Sequence, residues 1–344
     1  MNLRKRVTSK DVAEKVGVSR TTVSLVLNDV RGIQISPETR QKVLDTAEEL
    51  QYVPNAAAQA LASRRTKAIG LVLTRTQHHI ATDAFLPSII SGLLTTAKKQ
   101  NIRILIDWVE MDHQESAYFE LAHTKRIDGM ILSTPRLNDT GLKALESLEI
   151  PTVLMGSIAG SNLSYVDVDN ADAAEKATAY LIGLGHKDIA CIANAQPEYA
   201  SAPERVEGYK NALSNQKIPL NEALIRYADF DPESGYDCMK SILQSGEKIS
   251  AVFVASDNVA IGAKSALREA ELRIPDDISI IGFDDIPWAK YSDPPLTTVQ
   301  LPAESIAQSA CTLLLNLING GDREKRHKII LDTELIIRKS CKPL

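Results

Sequence analysis

Residues 20–28, RTTVSLVLN, combine side chains that suit hydrogen bonding to the edges of DNA bases. Since an α-helix turns 100° per residue, Val23, Val26 and Leu27 would share one side of a helix here. The opposite side would present Arg20, Thr21, Ser24, Leu25 and Asn28. An arginine can donate to guanine, a threonine hydroxyl can reach a base or a phosphate, and a leucine can touch a thymine methyl. The pattern favours a helix that reads a DNA groove, although Leu25 would also suit the edge of a core.

Two neighbouring helices are predicted to hold this one in place. Thr8 would cap a helix over residues 9–16, and Gly17 can supply a turn with positive φ. Ser19 would cap the helix with the outward face, and residues 36–38, Ser-Pro-Glu, are typical of a third helix start. That third helix has an apolar stripe of Val43, Leu44, Ala47 and Leu50. A helix, a glycine turn and a second helix with an outward polar face indicate a helix-turn-helix, whose second helix enters the major groove.

The charge of the chain is distributed unevenly. Residues 1–67 carry 12 Lys or Arg against 7 Asp or Glu, whereas the other 277 residues carry 27 against 37. A small basic head on a large acidic body suggests that the head meets a polyanion. The alternative is a solvated surface whose charges divide unevenly by chance.

Residues 55–62, NAAAQALA, are good helix formers with one large apolar side chain, Leu61. Isolated helices shorter than roughly 12–15 residues are marginal in water. A helix over this segment would therefore need contacts from elsewhere to become ordered, and a plain linker is the alternative.

The segments VTSKDVAEKVGVSRTTVSLVLND and ISPETRQKVLDTAEELQYVPNAAAQALA resemble the DNA-binding head of the LacI/GalR family of bacterial transcription regulators. The resemblance places the family's variable base-reading positions on Arg20, Thr21 and Leu25. It also implies that residues 55–62 form a hinge helix, which pairs with a partner's hinge in the minor groove, with Leu61 as the wedge between base steps. The DNA-binding residues are then predicted to be Thr8, Ser19, Arg20, Thr21, Thr22, Ser24, Leu25, Asn28, Asn55, Ala58 and Leu61.

From residue 68 onward, apolar strands alternate with amphipathic helices. One set of strands is predicted at 68–74, 102–109, 129–134 and 152–157, and a second set begins at 165–169 and continues through 189–194, 225–230, 251–255 and 278–284. Continuous apolar strands alternating with helices are typical of parallel sheets covered on both faces, so two sets imply two doubly wound lobes. The last strands, 296–300 and 328–338, are expected to cross between the lobes.

Ligands of doubly wound folds bind beyond the carboxyl ends of the strands, which here means the cleft between the lobes. The strand ends nominate Thr74, Ser157, Phe230, Ser256, Asp257 and Asp284. Any one of these residues could instead cap a helix or serve a turn, and Asp257 in particular has the position of an N-cap.

The body resembles the effector domain of the same family, which is akin to periplasmic sugar-binding proteins, through LIGLGHKDIACI, SAPERVEGYKNAL, VFVASDNVAIGAKSAL, IPDDISIIGFDDIPWAKY and PPLTTV. The resemblance implies that Arg205 grips ligand hydroxyls or a carboxylate, that Asp284 accepts hydrogen bonds from hydroxyls, and that Phe230 packs on a sugar ring. The helix after the first strand would line the mouth of the cleft with Phe85, Leu86 and Ile89. With Thr74, Ser157 and Ser256 these residues form the predicted effector site.

The body also departs from the family's pattern. Gly156 and Ser157 stand where many members have Asp-Arg, Ser256 replaces a frequent Asn, and Ala303 stands where an aromatic residue can occur. These departures leave open whether the effector is a sugar. His78 and His79 follow the first strand, where a solvated loop pair is favoured over contact with a ligand.

Other classes of protein lack support in the sequence. No GxxxxGK[ST], GxSxG or HExxH motif occurs, and no GxGxxG follows a strand, so an enzyme is not expected. The four cysteines are scattered singly, which argues against a zinc site or a disulfide framework, and no cofactor is predicted. No apolar run approaches the roughly 18 residues that a membrane span requires, and the basic start has no apolar segment behind it. We therefore expect a cytoplasmic protein that does not associate with a membrane.

The sequence as a whole predicts an α/β protein with an all-α helix-turn-helix head and a periplasmic-binding-protein-like body of two doubly wound parallel-sheet lobes. The expected domains are a DNA-binding domain at 1–52, a hinge helix and linker at 53–67, and an effector domain at 68–344. The N-lobe would comprise about 68–166 and 299–327, and the C-lobe about 167–296 and 328–344. The predicted function is that of a homodimeric repressor of a palindromic operator, controlled by a small molecule that is a sugar or a sugar derivative. The alternatives are a non-sugar effector such as a nucleobase, and an activator.

Overall fold

A computed structural model describes residues 7–28, 34–53, 55, 59–60, 63, 65–110, 113–148, 150–323 and 325–344. The chain divides into two compact units, Met1–Lys67 and Ala68–Leu344. Among the described residues, no helix is both long and apolar enough to span a bilayer.

The first unit contains helices α1 (Ser9–Val16), α2 (Arg20–Leu27) and α3 (Pro37–Glu49). Gly17 ends α1 in the left-handed conformation at φ 77°, which lets the chain turn directly into α2. The core is small and consists of Val12, Ala13, Val23, Val26, Val43 and Ala47. Leu44, which the sequence assigned to the apolar stripe of α3, is instead 41% exposed, because Val43 and Ala47 already fill the side of α3 that faces α1 and α2.

The segment that the sequence assigns to a hinge is described only in part. Gln59, Ala60 and Ser63 have helical conformation, and the backbone N–H of Gln59 donates to the carbonyl of Asn55 at 2.9 Å. Ala58 and Leu61, both predicted to contact DNA, lie outside the described residues.

The first lobe of the second unit is built on a sheet of β1 (Ala68–Leu73), β2 (Arg103–Trp108), β3 (Met130–Ser133), β4 (Thr152–Met155), β5 (Ser164–Val168) and β11 (Lys328–Leu331). Its order is β11-β5-β4-β3-β1-β2, and every pair is parallel. Its helices are α4 (Gln77–Thr82), α5 (Leu86–Lys99), α6 (Gln114–His123), α7 (Gly141–Ser147) and α12 (Ala303–Ile318). One apolar core lies between the sheet, α5 and α12, and the other side of the sheet packs on α6 and α7.

The second lobe is built on β6 (Ile189–Ala193), β7 (Ile225–Tyr227), β8 (Ala251–Val254), β9 (Ser279–Asp284), β10 (Thr297–Gln300) and β12 (Glu334–Ile336). Its order is β12-β10-β9-β8-β6-β7, and only the β10–β12 pair is antiparallel in this sheet. Its helices are α8 (Asn170–Gly183), α9 (Ser201–Asn215), α10 (Pro232–Gln244) and α11 (Asp257–Glu269). The helices pack in pairs, α8 with α9 and α10 with α11, on the two faces of the sheet.

Two expectations about sheet membership are wrong. The strand predicted at 165–169 does not begin the second set, because β5 pairs with β4 and completes the first sheet. The segment 328–338 is not one strand of the second lobe: β11 pairs with β5, and β12 pairs with β10 after a crossing at residues 332–333. Strand-forming side chains do not specify which sheet a strand joins, since both sheets bury strands on both faces. The expectation that the last strands cross between the lobes is confirmed.

Candidate functional site

The outward side of α2 forms a polar surface on the head. Arg20, Thr21 and Asn28 are exposed, and Ser24 and Leu25 are half-buried. Leu25 does not join the apolar core of the head, so it remains on the outward side with the polar residues. The surface therefore offers one long cation, several hydroxyls and one apolar contact, which are the groups that base-edge recognition uses.

Several predicted DNA-binding residues also hold the ends of the helices. The Thr8 N–H donates to Asp11 Oδ2 at 2.7 Å, and Ser19 Oγ accepts from the Thr22 N–H at 3.0 Å. The Asn28 amide donates to Ser24 Oγ at 3.2 Å. These hydrogen bonds hold the side chains in place at the helix ends.

Asn55 and Gln59 lie against the end of α2 and share a shallow concavity with it. Gln59 Nε2 donates to Asn28 Oδ1 at 2.8 Å, so the described start of the hinge segment is tied to the recognition surface. The concavity is lined by Ser9, Arg20, Thr21, Val23, Ser24, Leu27, Asn28, Tyr52, Asn55 and Gln59.

A cavity of about 140 Å³ lies between the two lobes of the second unit, at the carboxyl ends of both sheets. Of the predicted effector residues, Phe85, Leu86, Ile89, Ser157, Arg205, Phe230, Ser256 and Asp284 line it. Thr74 does not: it is fully buried, and its hydroxyl donates to the carbonyls of Ser133 and Thr134. Arg75, the next residue, lines the cavity instead. The chain turns at the end of β1, so the side chain of Thr74 lies in the core, whereas that of the next residue, Arg75, lies in the cleft.

Arg205 is the central cation of the cavity and comes from α9. Its guanidinium lies over the Phe283 ring at 3.8 Å, Nε donates to Asn170 Oδ1 at 2.9 Å, and Nη1 donates to the Ala255 carbonyl at 2.6 Å. Asp284 Oδ1 lies 3.6 Å from Nη1. Burial lowers the pKa of Arg205, while the surrounding carboxylates, Asp284 first, act in the opposite direction. The arginine is thus held by protein groups at both Nε and Nη1.

Asp284 ends β9 and faces Arg205 with its side chain 12% exposed. Burial raises the pKa of its carboxyl to about 6, although Arg205 and a hydrogen bond from Ser256 oppose the shift. Its backbone is left-handed at φ 116°, as are two other non-glycine residues of the lining, Thr134 at 56° and Phe230 at 66°. Non-glycine residues held in such conformations cluster at ligand sites, because the surrounding structure must maintain them.

Asp257 is not the N-cap that its position suggested. Ser256 occupies the cap position of α11, and Asp257 is fully buried beneath the cavity. Its carboxylate accepts from Thr298 Oγ1 at 2.6 Å and from the Ile286 N–H at 3.0 Å. Burial raises its pKa well above the usual value, and Asp284 adds to the effect. Gly282 makes this approach possible, because a Cβ there would lie 2.1 Å from Asp257 Oδ1.

A second group of carboxylates, which the sequence did not nominate, lies on the other side of Arg205. Glu204 Oε2 accepts from Asn170 Nδ2 at 3.0 Å, and Ser157 of the first lobe lies 3.5 Å from Oε1. Burial, followed by the nearby charge of Asp167, raises the pKa of Glu204 to about 7. Burial also raises the pKa of Asp167, which lies at the end of β5. The only signals in the sequence were the place of Asp167 at a strand end and of Glu204 beside Arg205.

The opposite part of the cavity is apolar. Phe85, Leu86 and Ile89 from the first lobe and Phe230 from the second contribute to it. The Phe230 ring makes an edge contact with Tyr199 at 4.8 Å between centroids, and the Arg75 guanidinium lies 4.9 Å from its centre. A ring face and aliphatic side chains opposite a cluster of carboxylates suit a flat ligand that is hydroxylated along its edges.

His78 and His79 are not a solvated loop pair. They lie on helix α4, and their rings contact carboxylates of the second lobe, Asp231 and Asp229 respectively. His79 is 6% exposed. Periodicity could not identify α4, because a helix of 6 residues is too short to establish one.

Comparison with known proteins gives two family-level matches. Residues 8–55 match the model for bacterial regulatory proteins of the lacI family, and residues 178–341 match a periplasmic binding protein-like domain. The transcriptional repressor PurR of Haemophilus influenzae is 33% identical over 98% of this chain and 99% of its own length.

Solved structures agree with these matches. A lac repressor dimer bound to operator and the anti-inducer ONPF superimposes with a TM-score of 0.86, at 29% identity, over 98% of this chain and 100% of that one. A complex of the transcriptional regulator CelR with cellobiose gives a TM-score of 0.76 at 31% identity, over 97% of this chain and 100% of that one.

Proposed function

The chain belongs to the LacI family of bacterial transcriptional regulators, which are not enzymes, and we propose that it is a repressor controlled by a sugar. The head would bind operator DNA, and the cavity between the lobes would bind the effector. The observation that carries the proposal is the cavity itself, in which Arg205, Asp284 and an apolar wall converge from two lobes. As a DNA-binding regulator of this bacterial family it would act in the cytoplasm.

On the DNA side, the outward face of α2 supplies the base contacts. Arg20 would donate to guanine, Thr21 to a base or a phosphate, and Leu25 would meet a thymine methyl. Thr8, Ser19 and Thr22, which hold the helix starts, would contact the phosphate backbone. The remaining contacts would come from Ser24, Asn28 and the hinge residues Asn55, Ala58 and Leu61.

A homodimer would place two heads on the half-sites of a palindrome. The first lobe exposes large apolar side chains that suit such an interface: Leu94 on α5 is 54% exposed, Ile106 on β2 is 53% exposed, and Phe119 on α6 is 56% exposed. Exposed apolar surface of this kind is typical of protein–protein contacts. Movement of the lobes around a ligand would then change the distance between the two hinges and thereby the affinity for DNA.

The charges of the cavity favour an effector without an anionic group. The charges of both guanidinium groups are already balanced by the protein, because Arg75 pairs with Asp83 and Arg205 lies 3.6 Å from Asp284. Asp167 and Asp284 also line the cavity and would repel an anion. Carboxylates accept hydrogen bonds from hydroxyl groups, so a neutral polyol suits this site.

The volume of the cavity is consistent with a sugar. A water needs roughly 10–15 Å³ of such a volume, so this cavity holds on the order of ten water-sized groups. A monosaccharide or one unit of a longer sugar has a comparable number of heavy atoms. The relative of known structure that binds cellobiose supports the same class of ligand.

The proposal is tested first by selecting DNA from a random pool with the full-length chain, which should yield a site with two-fold symmetry. A thermal-shift screen would then compare neutral sugars, their phosphates and nucleobases, since a ligand of the folded state raises the melting temperature. We expect a neutral sugar to raise it and to change operator affinity. A nucleobase that raised the melting temperature and changed operator affinity would contradict the proposal that the effector is a sugar. A ligand that bound but left operator affinity unchanged would contradict the proposal that the effector controls DNA binding.

A further inference from the structure

Helix α4 is closed at both ends by residues of its own segment. Thr76 Oγ1 accepts from the His79 N–H at 3.3 Å, and the side chains of Arg75 and Asp83 form an ion pair across the whole helix. Asp83 Oδ1 also accepts from the Phe85 N–H at 2.7 Å, which fixes the start of α5. This short helix is therefore a defined unit at the mouth of the cavity, held by the first lobe.

Three polar contacts join this helix to the second lobe. His78 Nε2 lies 2.9 Å from Asp231 Oδ2, and His79 Nε2 lies 3.1 Å from Asp229 Oδ2. The third contact runs from Asn258 Nδ2 to the carbonyl of Thr82 at 3.1 Å. Both aspartates belong to the loop between β7 and α10, and they flank Phe230 directly.

Phe230 is held by the same contacts. The Asn258 amide that reaches Thr82 also donates to the Phe230 carbonyl at 2.8 Å, and the Phe230 N–H donates to the Asn194 carbonyl at 2.8 Å. The His79 ring meets the Phe230 ring edge-on at 5.5 Å between centroids. Since Phe230 adopts a left-handed backbone conformation, its orientation depends on such external contacts.

The nitrogen atoms of His79 fit this role. Nε2 faces Asp229, and Nδ1 is buried without a hydrogen-bond partner among the described residues. A neutral ring that carries its proton on Nε2 donates to Asp229 and leaves only a lone pair on Nδ1, which avoids a buried, unsatisfied N–H. Neither histidine lines the cavity, so their contacts are between lobes and do not reach the ligand space.

We propose that α4 is a clasp between the lobes, in which His78 and His79 are positioning residues that hold Asp229–Asp231 and so orient Phe230 against a bound ligand. The clasp rests on the proposed ligand site for its function, but its existence does not depend on the identity of the ligand. Opening it would release Phe230 before the ligand leaves, so the clasp would set how long a ligand stays bound.

The ligand-free test uses hydrogen exchange on the full chain. His78→Ala removes the exposed partner of Asp231, and Asp231→Asn keeps the helix-capping oxygen that accepts from the Ser234 N–H. His113→Ala is the matched control, because His113 is an exposed histidine 3.7 Å from Glu110 of its own lobe. His79→Phe keeps an aromatic ring beside Phe230 and removes both ring nitrogens, and with them the contact to Asp229.

We expect His78→Ala to accelerate amide exchange at residues 229–231 by roughly two- to fivefold, the effect of losing one polar contact at the surface, with an unchanged melting temperature. The Asp231→Asn variant and the variant that combines His78→Ala with Asp231→Asn should show the same acceleration, and His113→Ala should show none. Acceleration confined to residues 77–82, or equal effects of His78→Ala and the control, would overturn the clasp.

A second readout uses Trp108, whose indole N–H donates to the Arg75 carbonyl at 2.7 Å, next to the start of α4. In a Trp288→Phe background Trp108 is the single tryptophan, and its acrylamide quenching should rise with His79→Phe. Cellobiose serves as the probe for the time that a ligand stays bound. We expect it to dissociate faster from the His78→Ala and His79→Phe variants than from the wild type. If cellobiose does not bind, this disaccharide is excluded as the effector, while hydrogen exchange and quenching still decide the clasp.

Discussion

Replacement of Asp284 by asparagine is expected to stabilise the unliganded protein and to abolish its response to the effector. The pKa of Asp284 is raised from 3.8 to about 6, so the charged form of this carboxylate destabilises the folded protein. A shift of this size corresponds to about 3 kcal/mol between the two protonation states. Because the pKa already includes the attraction of Arg205, a neutral side chain of the same shape should recover most of that energy.

The effect must depend on pH with a definite sign. When the folded pKa of an acid is raised, the folded state binds more protons between the two pKa values, and stability falls as pH rises through that range. The advantage of Asp284→Asn should therefore be about 3 kcal/mol at pH 7.5 and about 1 kcal/mol at pH 4.5. At the higher pH, the melting temperature of the effector domain should rise by roughly 5–10 °C.

The assay is urea unfolding of the wild type and the variant at both pH values, with operator affinity as a check of the fold. Asp285→Asn is the matched control, since Asp285 is the neighbouring carboxylate but pairs with Arg338 at 2.7 Å. The control removes an ion pair and should gain no stability. The reasoning would be refuted if the Asp284→Asn variant had a lower free energy of unfolding than the wild type. It would also be refuted if the difference in this free energy did not change with pH.

The remaining predictions concern ligand response, DNA contact and packing. Arg205→Ala should remove the effector response and leave operator binding intact in a titration of labelled operator; loss of both in a folded protein would contradict this. Arg20→Ala should cost about 1–3 kcal/mol in operator affinity, measured by anisotropy at fixed salt, and an equal loss on random DNA would exclude a base contact. Leu61→Ala should reduce DNA bending in a phasing assay, and unchanged bending would reject the wedge. Gly282→Ala should lower the unfolding midpoint, because its Cβ would fall 2.1 Å from Asp257 Oδ1, and an unchanged midpoint would show that Asp257 can move.

The sequence predicted the head well, because its helices have local signals. Thr8, Gly17, Ser19 and Pro37 mark where helices begin or end, and α1 to α3 lie at the predicted places. Capping and turn chemistry act within a few residues of the chain, so they can be read without knowledge of the tertiary structure.

The cleft was predicted less completely, because it is assembled from residues far apart in the chain. Strand ends correctly indicated where to look, but not which of two adjacent residues turns inward, and so Thr74 was nominated in place of Arg75. Strands buried on both faces show no alternation from which direction could be inferred. Contacts such as that of His79 with Asp229 join segments 150 residues apart, and no local sequence pattern predicts them.

The electrostatics of the cleft connect its instability to its function. Asp167, Glu204, Asp257 and Asp284 all have raised pKa values around the guanidinium of Arg205. A cluster of buried carboxylates that exceeds its cations is unfavourable, and an apolar core of the same volume would stabilise the fold more. Asp167 and Asp284 line the cavity, so hydroxyl groups of a bound ligand would donate further hydrogen bonds to their carboxylates and would relieve part of this cost. The same relief requires groups from both lobes, Ser157 and Asp167 on one side and Arg205 and Asp284 on the other, to approach one ligand. A ligand of this chemistry would therefore favour closure of the lobes, and a ligand without donors would not.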